Sequence, residues 1–155
     1  MTLRKEYPEL LDDPAAKLVA SHTRDLMEFL WAAWNEKLLP QSFTQSLGTV
    51  AYHAPCHLRA QKIALPARQL LSKVPDTEVS AIEQCSAVDG TWGMKAEYYE
   101  LGVQYSKKLV RAVERIEAKH VASDCPLAAQ RIRKENQVDV VHPVQLLAKA
   151  YGLDV

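Results

Sequence analysis

Three cysteines are the residues of this chain best equipped for chemistry, and each closes a similar stretch. The apolar run Val50-Ala51-Tyr52-His53 breaks at Pro55 and ends on Cys56, between His53 and His57. Val79 to Gln84 runs into Cys85, and His120 to Asp124 runs into Cys125. A fourth run, Val138 to Val141, ends at His142-Pro143. Soft ligands at corresponding places in successive units predict one shared site, a metal or iron–sulfur centre. Thiolates bind zinc or iron–sulfur clusters, and either ordinarily takes four protein ligands. With three thiols available, the fourth position falls to His53, His57, Ser86, Asp124, solvent or another chain. No close C-x-x-C pair is present, so spacing alone is a weak signal, and a lone Cys is more often a small buried apolar residue.

Other candidates weigh less. Gly90 and Gly93 would let backbone approach a ligand at the start of a long helix, where amides favour anions, or they form a tight turn. Asp89 and Asp124 read as helix caps rather than acid–base groups. Arg59, Lys62, Arg131, Arg133 and Lys134 read as solvated helix faces. A set of Ser86, His53 and Asp124 lacks the nucleophile turn a hydrolase would need.

The elements that position the thiols follow from pattern. A helix opens at Asp13-Pro14, with Asp as cap and Pro at the first position, and its apolar spacing carries it to about Lys37. Met1 to Asp12 is a polar start. Strands are expected at Thr49–Tyr52, Glu78–Glu83, His120–Ser123 and Val138–Val141. Helical pieces fill Leu58–Ala64 and Pro66–Lys73. A long amphipathic helix carries Tyr98, Leu101, Tyr105, Leu109, Ala112, Val113 and Ile116 on one face. Pro126 and Pro143 open the last two helices, and Gly152 closes the second. One helix followed by four βα units predicts an α/β fold: a four-stranded, mainly parallel sheet with helical cover. Ligands of such sheets bind beyond the carboxyl ends of the strands, where all three cysteines fall. Residues 1–48 form a helical segment packed on an α/β domain of residues 49–155.

Composition narrows the partners. The chain has 155 residues, 48% of them hydrophobic, enough for one domain with its own core. Lys+Arg and Asp+Glu balance at 19 each, which gives no reason to expect nucleic acid or an anionic membrane as partner. Apolar runs are too short to span a bilayer, and no secretory leader is visible, so a cytoplasmic location with reduced thiols is expected.

The motifs His53-Ala54-Pro55-Cys56-His57-Leu58-Arg59, Cys85-Ser86-Ala87-Val88-Asp89-Gly90-Thr91-Trp92-Gly93 and Ser123-Asp124-Cys125-Pro126-Leu127-Ala128 together resemble the cysteine-rich CCG domain. That domain occurs in iron–sulfur polypeptides such as the C subunit of anaerobic glycerol-3-phosphate dehydrogenase and the B subunit of heterodisulfide reductase. The likeness covers about Thr49 to Gly152 and is nearest the glycerol-3-phosphate dehydrogenase type. The family pattern has Cys after His-x-Pro, then Cys-Cys-Gly, then Cys-x-x-Cys. Here Ser86 and Ala128 stand at two of the five thiol positions. The resemblance implies an iron–sulfur subunit, with Cys56, Cys85 and Cys125 as ligands and Ser86, Gly90 and Gly93 beside the cofactor. It implies a [4Fe–4S] cluster, with zinc as the alternative. The function expected is electron transfer from a dehydrogenase towards quinone or another acceptor, without catalytic chemistry of its own. The alternative is a cluster-free or zinc-bound docking domain, with Trp31 and Trp34 as its contact. Partners would be other subunits or an N-terminal half of the same protein, and they would supply any attachment to the inner membrane.

Overall fold

The three thiol-bearing loops leave a sheet whose strand order is β2-β1-β3-β4. The computed structural model describes residues 1–154; the last residue of the expected 49–155 domain lies outside them. Among the described residues the strands are β1 (Gly48–His53), β2 (Thr77–Ile82), β3 (His120–Ser123) and β4 (Val140–Val141), and all pair in parallel. This is the α/β arrangement that the alternating pattern predicts, fully rather than mainly parallel.

Alternation along β1 builds the core. Val50 and Tyr52 face one side with Leu70, Leu71, Leu146 and Leu147. Ala51 faces the other side with Ile82, Leu109, Val121, Ile132 and Val140. The helical members come from α5 (Pro66–Leu71) and α8 (Pro143–Ala150) on the first face, and from α6 (Tyr99–Ile116) and α7 (Pro126–Asn136) on the second, where Ile82, Val121 and Val140 are the other strands' own residues. A strand covered on both faces has no solvent side, so Tyr52 and Ala51 are both fully buried.

The N-terminal region differs from expectation. The single helix to Lys37 is two helices, α2 (Pro14–His22) and α3 (Leu26–Asn35). Thr23 is the C-cap of the first and Asp25 the N-cap of the second. Its carboxylate accepts from the amides of Met27 and Glu28, while Glu28 accepts from the Asp25 amide. This reciprocal capping box outweighs the apolar periodicity that continues across the break. The polar start is also ordered, as a π-helical turn at Thr2–Glu6 and α1 (Tyr7–Leu10). Arg4 ties it to Glu28 through two hydrogen bonds of 2.7 and 3.2 Å. Met27 and Trp34 of α3 enter the first core layer, and Trp34 stacks on Phe43 at 5.1 Å between ring centres. Trp34 is therefore core, and Trp31 packs half-buried against it. Trp34 offers no free contact face, while Trp31 stays partly exposed.

On α6 the buried stripe is Gly102, Ser106, Leu109 and Val113. Tyr98, Leu101 and Tyr105 point outward, Tyr105 with 66% exposure. The apolar pattern places the stripe on the wrong side of the first two turns, because small residues are needed where the helix passes over a loop.

Candidate functional site

Strand register explains how three distant cysteines meet. His53 lies level with Ile82 on one side and with Ser123 on the other. Cys56 follows His53 by three residues, Cys85 follows Ile82 by three, and Cys125 follows Ser123 by two. All three thiols therefore emerge at the carboxyl rim. After β1 the chain passes to β2 on one side, and after β2 it crosses to β3 on the other. The ends of β1 and β3 thus flank the point where connections diverge, the usual crevice for ligands in open parallel sheets. Cys56, Cys85 and Cys125 line one cavity there, of about 340 Å³, together with Ser86, Gly90 and Ala128. Both positions where the chain departs from the five-thiol pattern face the same space.

Each thiol sits differently. Cys56 is the first residue of the short helix α4 (Cys56–Ala60) and is exposed. Cys85 is exposed on the loop after β2, and its sulfur accepts from the Ala87 amide at 3.3 Å. Cys125 is half-buried at the N-cap of α7. A hydrogen bond with the His57 ring lowers its thiol below the ordinary range, and the amides of Ala128 and Leu127 act in the same direction, against burial. The same contact raises His57.

A hydrogen-bond chain fastens the three loops to one another. The Cys125 amide donates to Ser123 Oγ at 3.3 Å. Ser123 Oγ in turn lies 2.9 Å from His53 Nδ1, and His53 Nε2 lies 3.1 Å from the Gln84 carbonyl, just before Cys85. That carbonyl can only accept, so Nε2 carries the proton and Nδ1 accepts from the serine hydroxyl. Burial holds His53 down to about 4, so the ring is neutral at pH 7. With both nitrogens committed, His53 is a brace and leaves the list of possible ligands.

Asp124 leaves it too. Its side chain is only 2% exposed, and the Tyr52 hydroxyl donates to its Oδ2 at 2.5 Å. Burial raises its pKa. It is no helix cap; the structure gives that place to Cys125. His142 Nε2 approaches the other oxygen at 3.9 Å, which has no hydrogen-bond partner among the described residues.

The two glycines do different work. Gly90 borders the cavity at φ +65°, with open space where a side chain would begin. Gly93 is outside the cavity lining, and a Cβ there would lie 1.9 Å from the Ala87 carbonyl oxygen. It serves close backbone packing inside the loop rather than approach to a ligand. Nor does this loop open the long helix: two 3₁₀ turns, Trp92–Met94 and Ala96–Tyr98, intervene before α6. Arg131 holds the loop in place. It is buried, donates to the Gly93 carbonyl at 2.6 Å, reaches Glu135 at 3.4 Å and lies over the Tyr99 ring. A solvated face was expected of Arg131. Only the fold brings a carbonyl, a carboxylate and a ring around it, so nothing local in the sequence marks it.

The donor set is three thiols around one cavity. Thiolates sharing a tetrahedral zinc at about 2.3 Å must lie within about 4 Å of each other. Among the described residues no three Cys, His, Asp or Glu side chains converge tightly enough to hold one metal ion. Three thiols bordering one cavity are donors of the kind that ligate iron–sulfur clusters.

A parallel α/β domain with three thiols on its carboxyl rim is the class that fold and site define. The sequence has curated relatives. It is 32% identical over 150 residues to the C subunit of anaerobic glycerol-3-phosphate dehydrogenase from Escherichia coli, covering 96% of this chain and 37% of the relative. It is 30% identical over 113 residues to an uncharacterized iron–sulfur protein of Methanocaldococcus jannaschii, covering 64% of this chain and 23% of that protein. The D subunit of the dihydromethanophenazine:CoB–CoM heterodisulfide reductase of Methanosarcina acetivorans is 28% identical over 119 residues, covering 69% of this chain and 29% of that polypeptide. No family model matches. The chain spans little more than a third of the length of the Escherichia coli subunit it matches. These homologues are a C subunit of a dehydrogenase, a D subunit of a heterodisulfide reductase and an iron–sulfur protein, in agreement with a CCG-type domain. The names point to iron–sulfur chemistry and give zinc no support. No helix among the described residues is long and apolar enough to cross a membrane.

Proposed function

We propose that this chain is an iron–sulfur electron-transfer domain of an oxidoreductase complex. One observation carries the reading: three thiols from three successive βα units line a single cavity at the sheet's crevice. Cys56, Cys85 and Cys125 would hold a cluster of the [4Fe–4S] type, which supplies one-electron transfer when bound. With His53 and Asp124 committed elsewhere, Ser86 is the protein oxygen we assign to the remaining corner, since it lines the cavity. The protein's part is to hold and orient. The Ala87 amide faces the Cys85 sulfur, and the amides at the start of α7 face that of Cys125. Such donors stabilise negative charge on sulfur and raise the reduction potential. Electron donor and acceptor would be partner subunits or further segments of the same polypeptide, with quinone one candidate as final acceptor. Residues 1–48 would belong to the same folding unit as the rest, since Met27 and Trp34 share its core.

Anaerobic reconstitution with iron and sulfide, followed by electron paramagnetic resonance of the reduced protein, tests this. A low-spin cluster signal that disappears in the triple Cys→Ser variant is expected. The second reading is a cluster-free docking domain. It is favoured by apolar residues left exposed on the N-terminal helices, Leu10 at 79%, Leu18 at 62% and Phe29 at 57%. It would prevail if the triple variant kept complex assembly and activity intact.

A further inference from the structure

The cavity that gathers the thiols also receives two opposite formal charges. Arg59 and Asp89 both border it. Arg59 lies three residues after Cys56 in α4, on the same side of that helix turn. Asp89 stands on the loop after β2 with φ +43°, directly before Gly90. Among the described residues neither side chain is in a salt bridge, with the other or with a third group. Each charge is thus free to act on whatever fills the cavity. His53, the other lining residue that could carry positive charge, is neutral at pH 7.

We infer that Arg59 and Asp89 are an opposed pair setting the reduction potential of the thiol-bound group, the guanidinium raising it and the carboxylate lowering it. This rests on the reading of the cavity as a cluster site. Reduction adds one electron, hence one negative charge, to a group already bearing three thiolates. A nearby cation stabilises the reduced state and a nearby anion destabilises it. The interaction is Coulombic, and both residues are exposed, so it should weaken with ionic strength. Neither residue need touch the cluster.

Potentiometric titration of the reconstituted full chain, followed by electron paramagnetic resonance at low and high salt, is the test. Arg59→Gln should shift the midpoint negative, Arg59→Lys should leave it near the parent value, and Asp89→Asn should shift it positive. The double variant Arg59→Gln/Asp89→Asn should return towards the parent. Iron and sulfide content measured on the same samples separates the two layers of the claim. Variants loaded like the parent but with unmoved midpoints would overturn the pair's role while leaving the cluster reading intact. A parent chain that takes up no iron would overturn both.

Discussion

The Tyr52 hydroxyl reaches from β1 to the carboxylate of Asp124, 2.5 Å away, at the point where β3 hands the chain to Cys125. The tyrosine is fully buried, and its pKa is raised by burial and by the neighbouring negative charge, so it remains a donor. Removing that donor leaves a buried carboxylate with nothing on either oxygen closer than His142. Tyr52→Phe should therefore destabilise the fold by about 1–3 kcal/mol, the ordinary cost of a buried polar group left unpaired. Urea denaturation measures it, and the variant should also retain less iron, because the loop of Cys125 loses its anchor.

His53 gives the fold a defined acid weakness. Above pH 6.5 its ring is neutral both folded and unfolded. Between 6.5 and about 4 only the unfolded chain takes up the proton, so stability falls as pH drops through that window and this contribution is flat below it. The loss at this one residue is roughly 3 kcal/mol by pH 4. Denaturation midpoints at pH 7, 5.5 and 4 should show the decline. His53→Leu should be less stable at pH 7, with Gln84 and Ser123 unpaired, and should show a shallower decline.

Backbone geometry in the loop after β2 makes three substitutions behave differently. Gly93→Ala places a Cβ inside the Ala87 carbonyl's radius, so the loop must move; a loss of about 2–4 kcal/mol, in the range of serious core overpacking, is expected. Gly90→Ala meets no atom but keeps φ +65°, and should cost about 1 kcal/mol. Ala87 already holds φ +53° while buried, so Ala87→Gly should stabilise the protein by about 0.5–1 kcal/mol. Thermal melts of the three variants rank them.

Much of this loop was unreadable in the sequence. The strands and their order of appearance were legible because each apolar run is short and bounded by Pro, Asp or Gly. β3 matches the expected range residue for residue, and the other strands shift by one or two positions. The break between α2 and α3 was legible in principle, since Asp25-Leu26-Met27-Glu28 is a capping box, yet the apolar stripe runs through it and points to one helix. Arg131, Gly102 and Gly93 belong to one packing contact: a Cβ on Gly102 would lie 3.0 Å from the Arg131 guanidinium and 3.1 Å from the Gly93 carbonyl. That contact joins residues far apart in the chain and has no local pattern. Convergence of the cysteines could be anticipated from the repeated strand-then-Cys layout. Hydrogen bonding rather than ligation is the better reading of a lone His53 from sequence, but its partners, and the commitment of Asp124, could not be anticipated, because they depend on strand register, which places Ser123 beside His53.

Ser86 and Ala128 allow a gain of function. Both line the cavity, at the two places where the family pattern has thiols. Ser86→Cys should increase the iron retained by anaerobically reconstituted protein and slow its loss to a chelator, since a thiolate is the better iron–sulfur ligand. Ala128 is 1% exposed and tightly packed, so Ala128→Cys alone should bring a small loss of stability and little added iron.

The most direct test of the central claim is the iron and acid-labile sulfide content of anaerobically purified protein, set beside a variant with Cys56, Cys85 and Cys125 all changed to Ser. Iron and sulfide in near-equal amounts, at cluster stoichiometry in the parent and absent from the folded variant, is the predicted result. A folded parent that binds neither, or that binds them equally well without its three thiols, would contradict it.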